Sequence, residues 1–316
     1  MTIDAHLIRA LAGLGVPGPP ATDDIEEIRK AALDYEEAVY PHLGASGPEL
    51  PVRDHIVPVQ GHPDVLVRLY YPREPTADLT LPVCLHFFGG GWRQGGIHHP
   101  SVATHCAVRA AEADIVVAAI SYALAPEHPY PTALEQGYAA LEWLVREAGA
   151  LGVDPARMAV SGQSAGGNLA AALTHLNRDR ARHPLRLQIL EVPGLDLTLS
   201  HTDLEAVETT REQWAGLKRM VDDYVPEIED RRGAYASPLL AQDLSDLPPA
   251  YIFTAGCDPF RADGEAYAAA LAAAGVPVSA LRLVGLPHEG GLYERASLTA
   301  RTAQATIATA LRTLHD

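Results

Sequence analysis

Met158-Ala159-Val160-Ser161-Gly162-Gln163-Ser164-Ala165-Gly166-Gly167-Asn168-Leu169-Ala170-Ala171-Ala172 is a short apolar run that passes through a glycine-flanked serine straight into helix-forming sequence. The centre of this stretch is a Gly-X-Ser-X-Gly pattern, common by chance when isolated but informative between a strand and a helix. Gly162 and Gly166 leave room for a sharp turn that would hold Ser164 in a strained conformation and lift its hydroxyl above the sheet. The helix starting behind it would turn backbone N–H groups and a positive dipole end toward any anion forming there.

Working outward, apolar runs alternate with helical stretches. Strands are expected at 53–59, 65–71, 83–88, 115–121, 158–161, 187–192, 251–254 and 278–284, the first two as antiparallel edge strands. Helices are expected near 100–112, 131–148, 165–178, 260–274 and 293–314. This alternation predicts an α/β fold, a mostly parallel central sheet flanked by helices on both faces, with ligands beyond the carboxyl ends of the strands. The first 45 residues read as a short helix and a second one from Asp23 to about Tyr40, separated by Gly13, Gly15, Pro17, Gly18, Pro19 and Pro20. The Gly-X-Gly-X-X-Gly match in that break is not a dinucleotide site, because no strand precedes it and its prolines oppose the helix such a site needs. Acidic helical sequence carrying Trp214, Leu217, Met220 and Tyr224 interrupts the alternation. The expected organisation is therefore N-terminal cap helices over 1–48 and a catalytic domain over 49–316 with a cap insertion at about 198–227.

A serine hydroxyl needs a base, and the base usually needs a carboxylate to orient it. In the α/β-hydrolase order of serine, acid, histidine, the turn Ala255-Gly256-Cys257-Asp258-Pro259 offers Asp258 at a strand end, and Gly285-Leu286-Pro287-His288 offers His288 at the next. The plainer readings are a helix N-cap for Asp258 and an ordinary loop histidine for His288; Asp263 and Glu289 are neighbouring alternatives off the strand ends. Phe88-Gly89-Gly90-Gly91-Trp92 follows another strand and supplies unobstructed N–H groups. Gly90 and Gly91, with Ala165 behind the serine, would make a three-donor oxyanion hole. Trp92 and Trp214, with Tyr35 and Tyr40, are candidates for lining an acyl pocket, and core packing suits them equally.

From Val52 onward the chain resembles the hormone-sensitive-lipase-like family of α/β-hydrolase esterases. The supporting stretches are Ser121-Tyr122-Ala123-Leu124-Ala125-Pro126-Glu127-His128-Pro129-Tyr130-Pro131, Asp154-Pro155-Ala156-Arg157, Ala236-Ser237-Pro238-Leu239-Leu240 and Leu247-Pro248-Pro249-Ala250. The resemblance implies an α/β-hydrolase core under a helical cap, no metal or other cofactor, and hydrolysis of short- to medium-chain acyl esters. It assigns Ser164, Asp258 and His288 to the catalytic positions and is compatible with a homodimer. Lactones, thioesters or amides are alternative substrates for the same triad, and a non-catalytic ligand-binding protein is the remaining alternative. Three stretches depart from the family pattern. Phe88 stands where the glycine loop normally opens with histidine, and His86, two residues earlier on the same strand side, is expected to brace the loop instead. Gln163 replaces an acidic residue, and Glu289-Gly290 replaces glycine and an aromatic.

Composition bounds the rest. At 316 residues, with 47% hydrophobic and 20% charged residues, the chain can bury a substantial core. A formal charge of −16 repels nucleic acid and anionic lipid. No run approaches the ~18 apolar residues of a membrane span. The opening Met-Thr-Ile-Asp-Ala-His lacks a basic leader, so no signal peptide is expected. Cys84, Cys106 and Cys257 lack the spacing of a zinc site or disulfide framework and are expected to be buried thiols in a reducing cytoplasm. His98, His99 and His105 lack a completing carboxylate or cysteine and are expected to be loop or surface residues, and His128 a structural one.

Overall fold

In the computed structural model, residues 2–316 are described apart from 17, 19, 21, 77–79 and 204–209. Two prolines of the N-terminal break and part of the expected cap insertion thus lie outside the described residues. Two helices come first, α1 (Ala5–Leu14) and α2 (Ile25–Leu43), capped by the Asp4 and Asp24 carboxylates. Gly15 ends α1 in the left-handed region at φ 60°. α2 runs through Pro41 to its last turn, slightly beyond the expected end at Tyr40.

Strands β1 (Val52–Val57), β2 (Val65–Tyr70) and β3 (Leu81–Phe87) follow, then α3 (Pro100–Ala113), β4 (Val116–Ser121), α4 (Thr132–Arg146) and the single turn α5 (Ala148–Leu151). The chain continues as β5 (Val153–Gln163), α6 (Ala165–Asp179), β6 (Leu185–Glu191), α7 (Arg211–Tyr224), β7 (Ala250–Cys257), α8 (Arg261–Ala273), β8 (Val278–Pro287) and α9 (Leu298–Arg312). α9 starts later than expected because the Ser297 side chain accepts from Ala300 N and fixes the cap there.

The eight strands form one sheet in the order β1-β2-β4-β3-β5-β6-β7-β8, and only β2 runs against the others. β1 is an edge, as expected, whereas β2 lies inside it. The order reverses at β3: the chain crosses one way to β4 and then back over β3 to β5. Right-handed crossovers then place α3 on one face and α4, α6 and α8 on the other. α9 joins α3, and α4 packs on α6. Chain leaving β3 and β5 consequently departs toward opposite faces, opening a crevice at their carboxyl ends where a site belongs.

The main core fills both faces of the sheet, with Phe87, Leu85, Ile120, Phe253 and Tyr267 fully buried. A smaller apolar cluster joins Leu7, Val39, Tyr40 and Leu43 of the first two helices to Val192, Leu286 and Tyr293. The N-terminal helices are thereby seated at the same end of the sheet as the crevice.

Candidate active site

The turn after β5 is sterically dictated. A Cβ on Gly162 would lie 2.1 Å from Gly166 O, and one on Gly166 would lie 2.2 Å from Phe87 O. With both positions bare, Ser164 sits at φ 54°, ψ −117°, a conformation that costs of order 1–3 kcal/mol for a non-glycine residue. Its N–H donates to Glu191 O at 2.8 Å, and its carbonyl accepts from Asn168 N at 3.0 Å, so the strain is held from the neighbouring strand and the following helix.

Sheet register brings the other two expected residues to this turn. Cys257 and Pro287 are paired across β7 and β8, so the next residues, Asp258 and His288, leave adjacent strands at the same level. His288 Nε2 lies 2.7 Å from Ser164 Oγ, and His288 Nδ1 lies 2.8 Å from Asp258 Oδ2. Asp258 is fully buried, and its other oxygen accepts from Phe260 N at 2.9 Å. Desolvation opposes charge on His288, but the Asp258 carboxylate outweighs it and pushes the imidazole up to about 9, with a smaller contribution from Glu289. The two alternative acids face elsewhere. Asp263 accepts from Leu195 N and Asp196 N at 2.8 and 3.0 Å and is pushed up to about 7 by burial, while Glu289 is exposed.

On the opposite side of Ser164, Gly89 packs so closely that a Cβ there would lie 3.5 Å from Ser164 Cβ. Gly90 (φ 129°) and Gly91 (φ 59°) continue into a turn closed by Arg93 N and Gln94 N donating to Gly90 O at 3.2 and 3.1 Å. A Cβ on Gly90 would lie 2.1 Å from Gln94 O, so only glycine fits. Among the described residues, no backbone carbonyl outside the helices and strands accepts from Gly90, Gly91 or Ala165.

His86 does not brace this loop. Its Nδ1 lies 2.9 Å from Ser161 Oγ, which also accepts from the Cys84 thiol, so it ties β3 to β5 beneath the turn. Burial holds its imidazole well below the ordinary value and thus neutral. The bracing comes from Tyr122, whose ring stacks on Phe88 at 4.1 Å and whose hydroxyl donates to Phe88 O at 2.9 Å. Tyr122 belongs to the Ser121–Pro131 stretch, but its partner could not be read there. Trp92 is buried and stacked face to face on Tyr224 of α7 at 4.7 Å; Trp214, on the same helix, is partly exposed.

Beside Gln163 stands an ion pair on the neighbouring strand. Gln163 pairs in register with Glu191, whose carboxylate accepts from buried Arg109 at 2.8 Å. Both residues border a cavity of about 20 Å³ behind His288. The roomier cavity, about 620 Å³, lies between α2 and the loops carrying His98 and His128, and no triad side chain lines it.

The remaining candidates pair singly. His99 meets Glu36, buried His105 meets Glu294, Tyr35 meets Tyr293, and the ring of Tyr40 packs edge-on against His105. Among the described residues no group of three or more His, Cys, Asp or Glu could hold a metal ion, and all three cysteines are buried free thiols.

Residues 84–290 match a family profile described as alpha/beta hydrolase fold. The chain is 38% identical to Carboxylesterase NlhH of Mycobacterium tuberculosis over 85% of this chain and 84% of that protein. It is 35% identical to Esterase LipI of the same species over 90% and 87%. Among solved structures, a hyperthermophilic esterase from the archaeon Pyrobaculum calidifontis superposes with a TM-score of 0.88 at 30% identity, covering 100% of this chain and 99% of that one. EstE1, a thermostable carboxylesterase from a metagenomic library, gives 0.84 at 33%, covering 92% and 97%.

Proposed function

Because the chain belongs to the hormone-sensitive-lipase-like family of α/β-hydrolases and is a serine carboxylester hydrolase, we propose that Ser164 is its nucleophile, His288 its base and Asp258 the orienting acid. The observation that carries this reading is the unbroken relay of 2.7 and 2.8 Å from hydroxyl to imidazole to carboxylate. Neutral His288 takes the Ser164 proton at Nε2 as Oγ attacks the ester carbonyl; Asp258 fixes the Nδ1–H tautomer and stabilises the imidazolium. The oxyanion of the tetrahedral intermediate accepts from the N–H groups of Gly90, Gly91 and Ala165. Imidazolium returns the proton to the departing alkoxide, leaving an acyl-Ser164 ester. Water, deprotonated by the same imidazole, attacks that ester, and the imidazolium returns the proton to Ser164 Oγ as the acid is released.

In this reading residues 1–48 and the segment around 198–227 form the cap, and short- to medium-chain acyl esters are the substrates. The three free, buried thiols support a cytoplasmic location. No described helix is long and apolar enough to cross a membrane. Ser164→Ala should abolish stoichiometric labelling by an alkyl fluorophosphonate and lower kcat on a chromogenic butyrate ester by about 10⁶-fold. Full labelling of the variant would put the nucleophile elsewhere.

A further inference from the structure

A loop built from Gly89, Gly90 and Gly91 has no side chains to anchor it, and two of these glycines lie at positive φ. Its orientation must be imposed from the next residues, and the contacts there converge on Arg93. This side chain is 8% exposed, and its Nε lies 2.7 Å from Asp223 Oδ2 on α7. The N–H is not aligned on that oxygen, so the contact is an ion pair rather than a directed hydrogen bond. The Arg93 carbonyl accepts from Arg29 Nε on α2 at 2.8 Å, and the Arg29 guanidinium is itself forked onto Glu127 at 2.8 and 2.7 Å. Two helices remote in sequence thus grip one residue, one by its side chain and one by its main chain.

The grip extends along α7. Met220, Asp223 and Tyr224 stand at i, i+3 and i+4, one face of the helix. Met220 lies against Gly91, so close that a Cβ there would be 2.5 Å from its Sδ, and Tyr224 stacks on Trp92 with ring planes 3° apart. A buried ion pair is a poor way to gain stability, because desolvation offsets its attraction and apolar residues of similar size usually pack at least as well. It does fix geometry, and a donor misplaced by about 1 Å can cost about 10²-fold in rate.

We propose that Arg93 is a positioning residue through which Asp223 of α7 and Arg29 of α2 set the direction of the Gly90 and Gly91 N–H groups, so that the oxyanion hole is assembled by the cap. This rests on the reading of that loop as the oxyanion hole, and the test separates the two. Sulfur is a weaker acceptor than oxygen, so an enzyme with aligned donors prefers an ester to its thionoester. The kcat and KM of the full chain are measured on a p-nitrophenyl ester and its thiono analogue. Asp223→Asn is compared with the double variant Arg93→Met/Asp223→Leu, which removes the pair without stranding a buried charge, and with Asp223→Glu. The expected result is a roughly 10- to 100-fold lower kcat on the ester, somewhat less than complete loss of one donor. KM should stay within about threefold, the ester preference should shrink in both disrupted variants, and Asp223→Glu should restore part of it. A large ester preference left unchanged in both disrupted variants overturns the proposal. A preference near unity in the unaltered enzyme removes the oxyanion reading, and the proposal with it.

Discussion

Ser164 is flanked by two regions built on different principles. On the relay side, His288 and Asp258 follow the paired ends of β7 and β8, and the same sheet that forms the core sets their spacing. On the glycine side, the loop after β3 takes its shape from Tyr122 beneath it and from two helices outside the sheet, α2 and α7. The first region is rigid because the fold is rigid. The second is as well ordered as the contacts that α2 and α7 make with it. In the proposed mechanism the imidazole is thus inherited from the sheet, while the donors opposite it are held by additions to the sheet.

Asp258→Asn strikes the relay side and should be second in effect only to Ser164→Ala. Loss of tautomer control should lower kcat by about 10⁴-fold with little change in the secondary structure seen by circular dichroism. It should also move the acid limb of the pH profile. The base must be neutral, and Asp258 raises His288 to about 9, so kcat/KM in the unaltered enzyme should fall as pH drops through a limb lying above the ordinary 6.5 and no higher than about 9. In the variant any residual limb should lie lower; a limb at the same pH would assign it to another group. The same shift stabilises the fold fully below the unfolded histidine's value near 6.5, and this contribution is lost as pH rises through about 9.

Tyr122→Phe strikes the glycine side and should act differently. It leaves Phe88 O without its donor while keeping the stacked ring, a loss of about 1 kcal/mol or slightly more. Steady-state kinetics should register roughly a 5- to 10-fold lower kcat, with the acid limb unmoved. A displaced limb would mean that the two regions are not independent.

Asp263→Asn has the smallest expected effect on turnover, within about threefold, because this carboxylate turns toward Leu195 and Asp196 rather than the relay. Its signature is in stability. A buried carboxyl raised to about 7 binds more protons in the native than in the unfolded state between about 4 and 7, so stability falls as pH rises across that window. The asparagine variant should lose this slope, worth at most about 4 kcal/mol for a shift of about three pH units. Urea titrations at pH 5 and 8 measure it.

The relay side was legible in the sequence for a physical reason. A strand is a local apolar run, its end is marked by a turn, and residues just beyond adjacent strand ends meet, so Asp258 and His288 could be placed without knowing the register. Ser164 was legible because the glycines that permit its strain flank it. The glycine side was legible only in part. Its proposed donors lie in a visible Gly-Gly-Gly run, but the contact between Arg93 and Asp223 joins residues 130 positions apart with no local pattern linking them. His86 shows the limit of strand parity as a guide: its hydrogen-bond partner is Ser161 on the neighbouring strand rather than the loop. The α9 boundary was legible in principle from Ser297 as a cap but lost to the apolar residues at 292 and 293, which pack beneath the N-terminal helices instead.

β8 carries His288 just beyond its tip and is one of the two edge strands of the sheet, paired as a strand with β7 alone and joined from the N-terminal segment by Asp4 N donating to Gly285 O at 2.9 Å, with Val284 62% exposed. Fringe strands open at a lower free-energy cost than the centre of a sheet. A molecule whose β8 has peeled away keeps Ser164, its central ladder and most of its core, yet has lost the imidazole that the proposed mechanism needs beside it. Were β8 to open before the rest, activity would be lost below the melting of the whole, and anything that clasps this margin from outside would lengthen working life without altering the chemistry.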